Sequence, residues 1–285
     1  VLTPLEYIAR AVILAIMGVA IGGVGTLVGL GGGFALIPIL LYVFGVGKVD
    51  RSATAATSLA AVTPNAASGA FAYARQKRID HVAGLAMALP AIPASLLGAW
   101  VIRNLGGQHK IFDITFAVFA VCMAVLLIEG RAIFKRSARK RPGEQAAPSP
   151  FPIIDRRKLL NGACVHYKFD VRSGLLIGIG GGFLAGFLGI GGGIIHMPLL
   201  ILVMGFPTHV AAATSHFILL LTTSSTTVSN VYAGKVDFDY AVPIGLGMVV
   251  GAVFGARLAK ASGGRLIRLA LGAVLVLVAI LMITA

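Results

Sequence analysis

The feature that most constrains this chain is a ten-residue pattern written twice. Gly29-Leu30-Gly31-Gly32-Gly33-Phe34-Ala35-Leu36-Ile37-Pro38 returns as Gly189-Ile190-Gly191-Gly192-Gly193-Ile194-Ile195-His196-Met197-Pro198. Both read G-x-G-G-G-x-x-x-x-P, and both sit inside long apolar runs. Each Gly costs a helix interior about 1 kcal/mol against Ala. In lipid, backbone groups freed by such a break must find partners inside the protein. Two breaks at matched positions therefore constrain everything around them.

Composition fixes the solvent. Hydrophobic residues make up 58% of the chain and charged residues only 12%, against roughly 25% charged in soluble domains. Mean hydropathy is +0.93. Several apolar stretches reach about the twenty residues that span a bilayer. The expected fold class is an all-α polytopic membrane protein, and no cleavable signal peptide is read at its start. The net charge of +14 is concentrated: residues 131–172 hold eleven Lys or Arg against three acids, +8 of that total. A basic loop between spans is the positive-inside signal rather than a nucleic-acid footprint. Cys122 and Cys164 have no metal or disulfide spacing.

Taken in order, the apolar segments are Ala11–Val28, a short Phe34–Phe44, then Ser52–Tyr73, Ala83–Ile102 and Ile111–Ile128. The basic stretch carries Pro142, Pro148, Pro150 and Pro152 and reads as a partly disordered loop. The series then restarts with Ser173–Leu188, a short Ile194–Met204, Val210–Tyr232, Ala241–Leu258 and Leu266–Ile283. Ala55-Ala56-Thr57-Ser58 matches Ala212-Ala213-Thr214-Ser215, Arg78-Ile79-Asp80 matches Lys235-Val236-Asp237, and Gly98-Ala99 matches Gly255-Ala256. The offset is 160 residues at the glycines and 157 afterwards, the signature of an internal duplication. The domains expected are residues 1–130 as a first transmembrane repeat, 131–172 as a cytoplasmic linker, and 173–285 as a second repeat. If each glycine break is the tip of a tight hairpin, each repeat has five passes. The basic turn from Arg257 to Arg268 then falls inside, and the Lys235 loop outside. That count obeys the positive-inside rule and makes the repeats inverted in topology. Simple counting leaves between eight and ten crossings.

Paired glycine-interrupted segments are the best sequence pointer to a midplane binding site. A short helix that starts at a triple glycine presents N–H groups and a partial positive charge, a setting for an anion. The glycines also admit a bland reading, as places where helices pack closely. Polar residues follow each break. The first repeat carries Thr54, Thr57, Ser58, Thr63, Asn65 and Ser68, and the second carries Thr214, Ser215, His216 and hydroxyls from Thr222 to Ser229. Taken singly, each serves as readily in an interhelical bond as at a ligand. Acids are nearly missing at depth, since Asp113 and Glu129 lie at the ends of one span. A cation carrier would place carboxylates there, so the substrate expected is anionic or neutral. His196 and His216 read as anion or proton-coupling groups, or equally as hydrogen-bonded packing residues. No nucleophile motif and no phosphate-loop ending appear, so the chain is not expected to be an enzyme.

The doubled glycine motif, the A-A-T-S after it, the K/R-I/V-D turn and the late G-A pair resemble the sulfite exporter TauE/SafE family. The resemblance covers the chain outside the linker. It implies an inner-membrane secondary transporter for sulfite or a small organosulfur anion such as a sulfonate or sulfoacetate. By position it implies binding residues at Gly31, Gly32, Gly33, Thr57, Ser58, Gly191, Gly192, Gly193, Thr214 and Ser215. Asn65 and His216 are added from the residue pattern, and His196 or His216 is assigned to proton coupling. No cofactor and no bound metal are expected. The partners expected are the small anion and the bilayer, and the sequence leaves open whether copies form a homo-oligomer. A passive anion channel is one alternative. A transition-metal transporter using His196, Met197, His209 and His216 is the other.

Overall fold

The computed structural model describes residues 4–46, 50–105, 110–119, 121–123, 153–160 and 163–263. The expected last span, Leu266–Ile283, the end of Ile111–Ile128 and much of the linker lie outside them. Helix α1, Pro4–Val28, leads to the first glycine break. There follow a short α2, Gly33–Pro38, continued by a π-helical turn Ile39–Val43, then α3, Arg51–Arg75, and α4, His81–Asn104. A further helix, α5, covers 110–119 and 121–123. The second half repeats this order with α6, Val171–Leu188, the short α7, Gly193–Leu202, α8, Thr208–Tyr232, and α9, Phe238–Ala261.

The fold is helical apart from one correction to the sequence reading. Part of the linker is an antiparallel β-hairpin, β1 Ile153–Leu160 and β2 Ala163–Asp170, with Ile153 opposite Asp170. Val165, Tyr167 and Phe169 alternate with His166, Lys168 and Asp170, the period that gives a strand one apolar face. Tyr167 and Phe169 are buried on it.

Glycines set the helix pairing by letting backbones touch. On α1, Gly18 lies against Ile244 and Gly247, Gly22 against Met248, and Gly23 against Gly251, with Gly255 meeting Leu27. Residue numbers rise together, so α1 and α9 run in the same direction. In the same way Gly178 meets Met87, Gly182 meets Ala91 and Gly186 meets Ser95, which makes α6 parallel to α4. Between α3 and α9, Gly245 meets Ala61, Ser68 bonds to Val249 and Gln76 to Ala256, another parallel pair. Between α3 and α8 the order reverses, Thr63 bonding to Thr227 while Gly69 meets His216. Helices α1, α3 and α9 therefore run one way, and α4, α6 and α8 the other.

Among the described residues, α1, α4, α6 and α9 are the helices long and apolar enough to cross a membrane. Helices α3 and α8 are 25 residues each but rich in hydroxyls, and they lie between the α1–α9 and α4–α6 pairs. Their polar side chains face inward: Thr54, Thr57, Ser58, Asn65, Thr214, Ser215, His216, Thr222 and Thr226 are all buried. The outward faces carry Ile13 and Ile16 on α1, Leu89 and Leu97 on α4, and Leu246 and Phe254 on α9, all exposed. Polar inside and apolar outside is the arrangement that lipid demands.

Candidate functional site

The two breaks meet at the centre of the molecule. Gly29, Gly31 and Gly32 have φ of 88°, 78° and 89°, and Gly189, Gly191 and Gly192 have 73°, 79° and 84°. Side chains with a Cβ rarely adopt this left-handed backbone. A methyl group on Gly33 would stand 2.8 Å from the Ile190 carbonyl oxygen, and one on Gly193 2.6 Å from that of Leu30. Each break thus rests directly on the other. Val62 and Leu219, 157 residues apart and near the midpoints of α3 and α8, each lie against both Gly31 and Gly191. From Gly33 beside Ser58 to Val46 beside Thr54, α2 and its π turn run back along α3.

The A-A-T-S tetrads connect each half to the other. Gly29 sits on Ala212 and Gly189 on Ala55, contacts that only a small residue permits. Thr57 Oγ1 accepts from the Asp237 N–H and Thr214 Oγ1 from the Asp80 N–H, both at 3.0 Å. Ser58 Oγ donates to the Gly33 carbonyl at 3.5 Å, and Ser215 Oγ to those of Gly193 at 3.3 Å and Gly29 at 3.0 Å. The aspartates that end the K/R-I/V-D turns cap α4 and α9, Asp80 accepting from Val82 and Ala83 and Asp237 from Asp239. Of the residues picked out by sequence, Gly31 to Gly33, Gly191 to Gly193, Ser58, Ser215 and Asn65 converge on the breaks. Thr57 and Thr214 lie instead against the interhelical turns at opposite faces.

Asn65 bridges the first break, its Nδ2 donating to the Gly31 carbonyl at 2.9 Å and its Oδ1 accepting from Thr26 Oγ1 at 3.2 Å. His216 Nε2 lies 3.2 Å from the same Thr26 hydroxyl, with the Tyr73 ring edge-on to the imidazole. His196 lies beside Gly192 and Gly181. Nδ1 of each imidazole is near the carbonyl four residues back, Gly192 or Ala212, without hydrogen-bond geometry, and Nε2 of His196 has no protein partner. Both rings are buried, and the first half has Leu36 and Leu59 at the matching positions. The two buried imidazoles of the core are therefore both on the second half. No group of three His, Cys, Asp or Glu able to hold a metal occurs among the described residues. His209 is at the molecule's end, 3.4 Å from the Arg78 guanidinium.

The molecule's two faces differ at matched places. On the hairpin face, Tyr167 Oη donates to Asp80 Oδ2 at 2.8 Å and its ring packs 4.4 Å from that of Phe206. Burial there lowers the pKa of the Arg78 guanidinium, with Tyr73 opposing. At the matching turn on the opposite face is a cleft of about 520 Å³ lined by Asp50, Ala53, Lys235, Asp237 and Asp239. Lys235 Nζ reaches Asp50 Oδ2 at 2.7 Å. Burial raises the Asp50 pKa, but bonds from Lys235 and Ser52 outweigh it and hold the carboxyl below its ordinary value. Sequence reading missed Tyr167, which lies in the stretch taken for loop, and Phe206, a single aromatic between two apolar runs.

A helical shell with an apolar exterior, a hydroxyl-lined interior and two broken helices meeting at mid-depth defines a polytopic membrane transporter. Comparison with known families matches residues 14–282 to Sulfite exporter TauE/SafE, and the chain belongs to that family. It is 32% identical over 254 residues to the probable membrane transporter protein YunE of Bacillus subtilis, covering 88% of this chain and 87% of that protein. It is 26% identical over 260 residues to the probable membrane transporter protein MJ0441 of Methanocaldococcus jannaschii, covering 89% and 86%. A probable membrane transporter protein of Xylella fastidiosa is 25% identical over 270 residues, covering 94% and 91%. No solved structure matches.

Proposed function

We propose that the chain is a secondary transporter that moves sulfite or a small organosulfonate across the inner membrane by alternating access. The two halves act in this reading as inverted-topology repeats. Helix directions support that: α1 and α3 run with α9, whereas their counterparts α6 and α8 run with α4. Orientation follows from charge. Arg75, Lys77, Arg78, Arg172, Arg257 and Lys260 lie at helix ends or turns on the hairpin face, where the strands add Arg156, Arg157, Lys158 and Lys168, against Arg10, Arg51, Arg103, Lys110 and Lys235 on the other. The hairpin face is accordingly cytoplasmic.

The observation that carries the reading is the meeting of the breaks with His196 beside the second. The N–H groups of Gly193 and Ile194 have no helical carbonyl behind them, Ile195 and His196 donating to the Gly192 carbonyl, and the helix start adds a partial positive charge. Next to them stands a buried imidazole whose Nε2 has no protein partner. An oxyanion accepts from both kinds of donor without a full protein charge at depth. The family's description as a sulfite exporter supports a sulfur oxyanion as the substrate class, and His196 or His216 is the group available for proton coupling.

Radiolabelled sulfite flux into proteoliposomes tests this. Saturable uptake, accelerated by sulfite inside, is expected from the full chain. Gly192→Leu should abolish it by filling the backbone site. His196→Leu copies the first half's Leu36, so it should stay folded and still lose at least tenfold in uptake. Normal uptake by both variants would remove the site from the second break. Flux that never saturates would make the protein a channel, and flux confined to divalent metals would overturn the anion reading.

A further inference from the structure

Helices α3 and α9 finish side by side on the hairpin face. Between their last turns is a cleft of about 410 Å³ lined by Ser68, Phe71, Arg75, Gln76, Arg257 and Lys260, with no acid in its wall. The Arg75 guanidinium stacks over the Phe71 ring, 4.5 Å from its centroid. None of the three cations has a carboxylate partner among the described residues, in contrast to Arg51, which pairs with Asp113, and Lys235, which pairs with Asp50. Three like charges in one cleft repel one another, a cost that an anion removes. Gln76 adds a directional feature. Its Nε2 donates to the Ala256 carbonyl at 3.1 Å, and its Oε1 is buried with no partner. Below the cleft, Phe71, Phe254 and Leu258 are exposed on the outer surface of the helices.

The matching place on the opposite face sharpens the point. Shifted by 157 residues, Arg75 corresponds to Tyr232, Arg257 to Trp100 and Lys260 to Arg103. Arg103 there is committed to Ser229 Oγ and Asn230 Oδ1. One face thus presents interfacial aromatics, and the other presents uncommitted cations at the same height.

We propose that this cleft binds the phosphodiester of an anionic phospholipid with a glycerol headgroup, from the leaflet on the hairpin side. Arg75 and Arg257 fork onto the phosphate oxygens, Lys260 adds charge, and a headgroup hydroxyl donates to Gln76 Oε1. The acyl chains lie along Phe71, Phe254 and Leu258. A free phosphate shares the anionic chemistry but has no chains to bury.

Native mass spectrometry of the delipidated full-length chain tests the site, titrated with phosphatidylglycerol, phosphatidic acid, phosphatidylcholine or inorganic phosphate. One adduct is expected for phosphatidylglycerol, at higher occupancy than for phosphatidylcholine. Affinity should fall about fivefold for each of Arg75→Gln, Arg257→Gln and Lys260→Gln, and Gln76→Met should lower phosphatidylglycerol binding while sparing phosphatidic acid. Because the three cations are read one at a time, a single variant that fails to fold does not block the test. Single variants that keep the full phosphatidylglycerol preference would overturn the proposal. Inorganic phosphate competing as well as the lipid would transfer the cleft to a soluble anion and overturn the lipid assignment.

Discussion

At the residue scale, three letters of the A-A-T-S tetrads have a physical task, and the first alanine and the threonine carry theirs out on the other half. Ala55 and Ala212, the first alanine of each tetrad, make room for the other half's left-handed glycine, the threonines accept a backbone N–H from the other half's turn, and the serines satisfy break carbonyls. A backbone donor buried without an acceptor costs about 1–3 kcal/mol. Thr214→Val deprives the Asp80 N–H, which is buried, and is expected to cost within that range. Thr57→Val deprives the Asp237 N–H, only partly buried, and should cost less. Thr→Ser at either place keeps the acceptor and should stay within about 0.5 kcal/mol of the parent. Thermal unfolding in detergent reads all four, and equal losses from the Val and Ser variants would refute the assignment. The tetrad was visible in the sequence as a repeated word. Its cross-half pairing was not, because a hydroxyl at helical spacing looks the same whether it faces a ligand or a neighbouring turn.

At the scale of elements, the pairing α1–α9 and α4–α6 depends on glycines placed where backbones touch. A Cβ on Gly182 would lie within 2.7 Å of the Ala91 Cα, and the neighbour is backbone that cannot turn aside. Gly182→Ala should therefore force α6 away from α4 and cost about 1–3 kcal/mol as overpacking. Gly180, two residues away, has nothing within 4 Å of a Cβ. Gly180→Ala should be neutral or stabilise by up to about 1 kcal/mol through helix propensity. Thermal shifts of opposite sign, or a loss confined to Gly182, are expected; matched losses would mean that both glycines act through propensity alone. This contrast also marks what was legible. Apolar runs located the described helices to within about three residues, except that α1 starts at Pro4, seven residues before the expected Ala11, and the doubled motif located the breaks, since a triple glycine has few other uses in a membrane. Which glycine faces a neighbour was hidden, because α6 carries Gly at 174, 178, 180, 181, 182 and 186 and periodicity alone does not rank them. The β-hairpin was missed although Asn161-Gly162 separates its strands, a dipeptide that two-residue hairpin connections favour. Charge and proline nearby outweighed that signal.

At the scale of the whole molecule, the two halves are alike in framework and unlike at their ends. The turn around Asp80 is covered by Tyr167, Phe169 and Phe206, while the matching turn around Asp237 borders an open cleft. The half-to-half match predicts equal openings, and among the described residues the hairpin covers one turn while no strand covers the other. It packs over the turn on its own side, and the turn on the other side borders the cleft beside Asp50 and Lys235. Tyr167→Phe keeps the ring against Phe206 and removes the hydroxyl that donates to Asp80. A bond of that kind to a charged acceptor is worth about 1.5–3 kcal/mol. The variant is expected to speed amide hydrogen exchange in β2 and in the first turn of α4, where Asp80 accepts from Val82 and Ala83. Exchange at the α9 start, capped by Asp237 without any tyrosine, should stay as in the parent. Faster exchange at both turns would mean general loosening. No change at either would show that the ring, and not the hydroxyl, holds the hairpin in place.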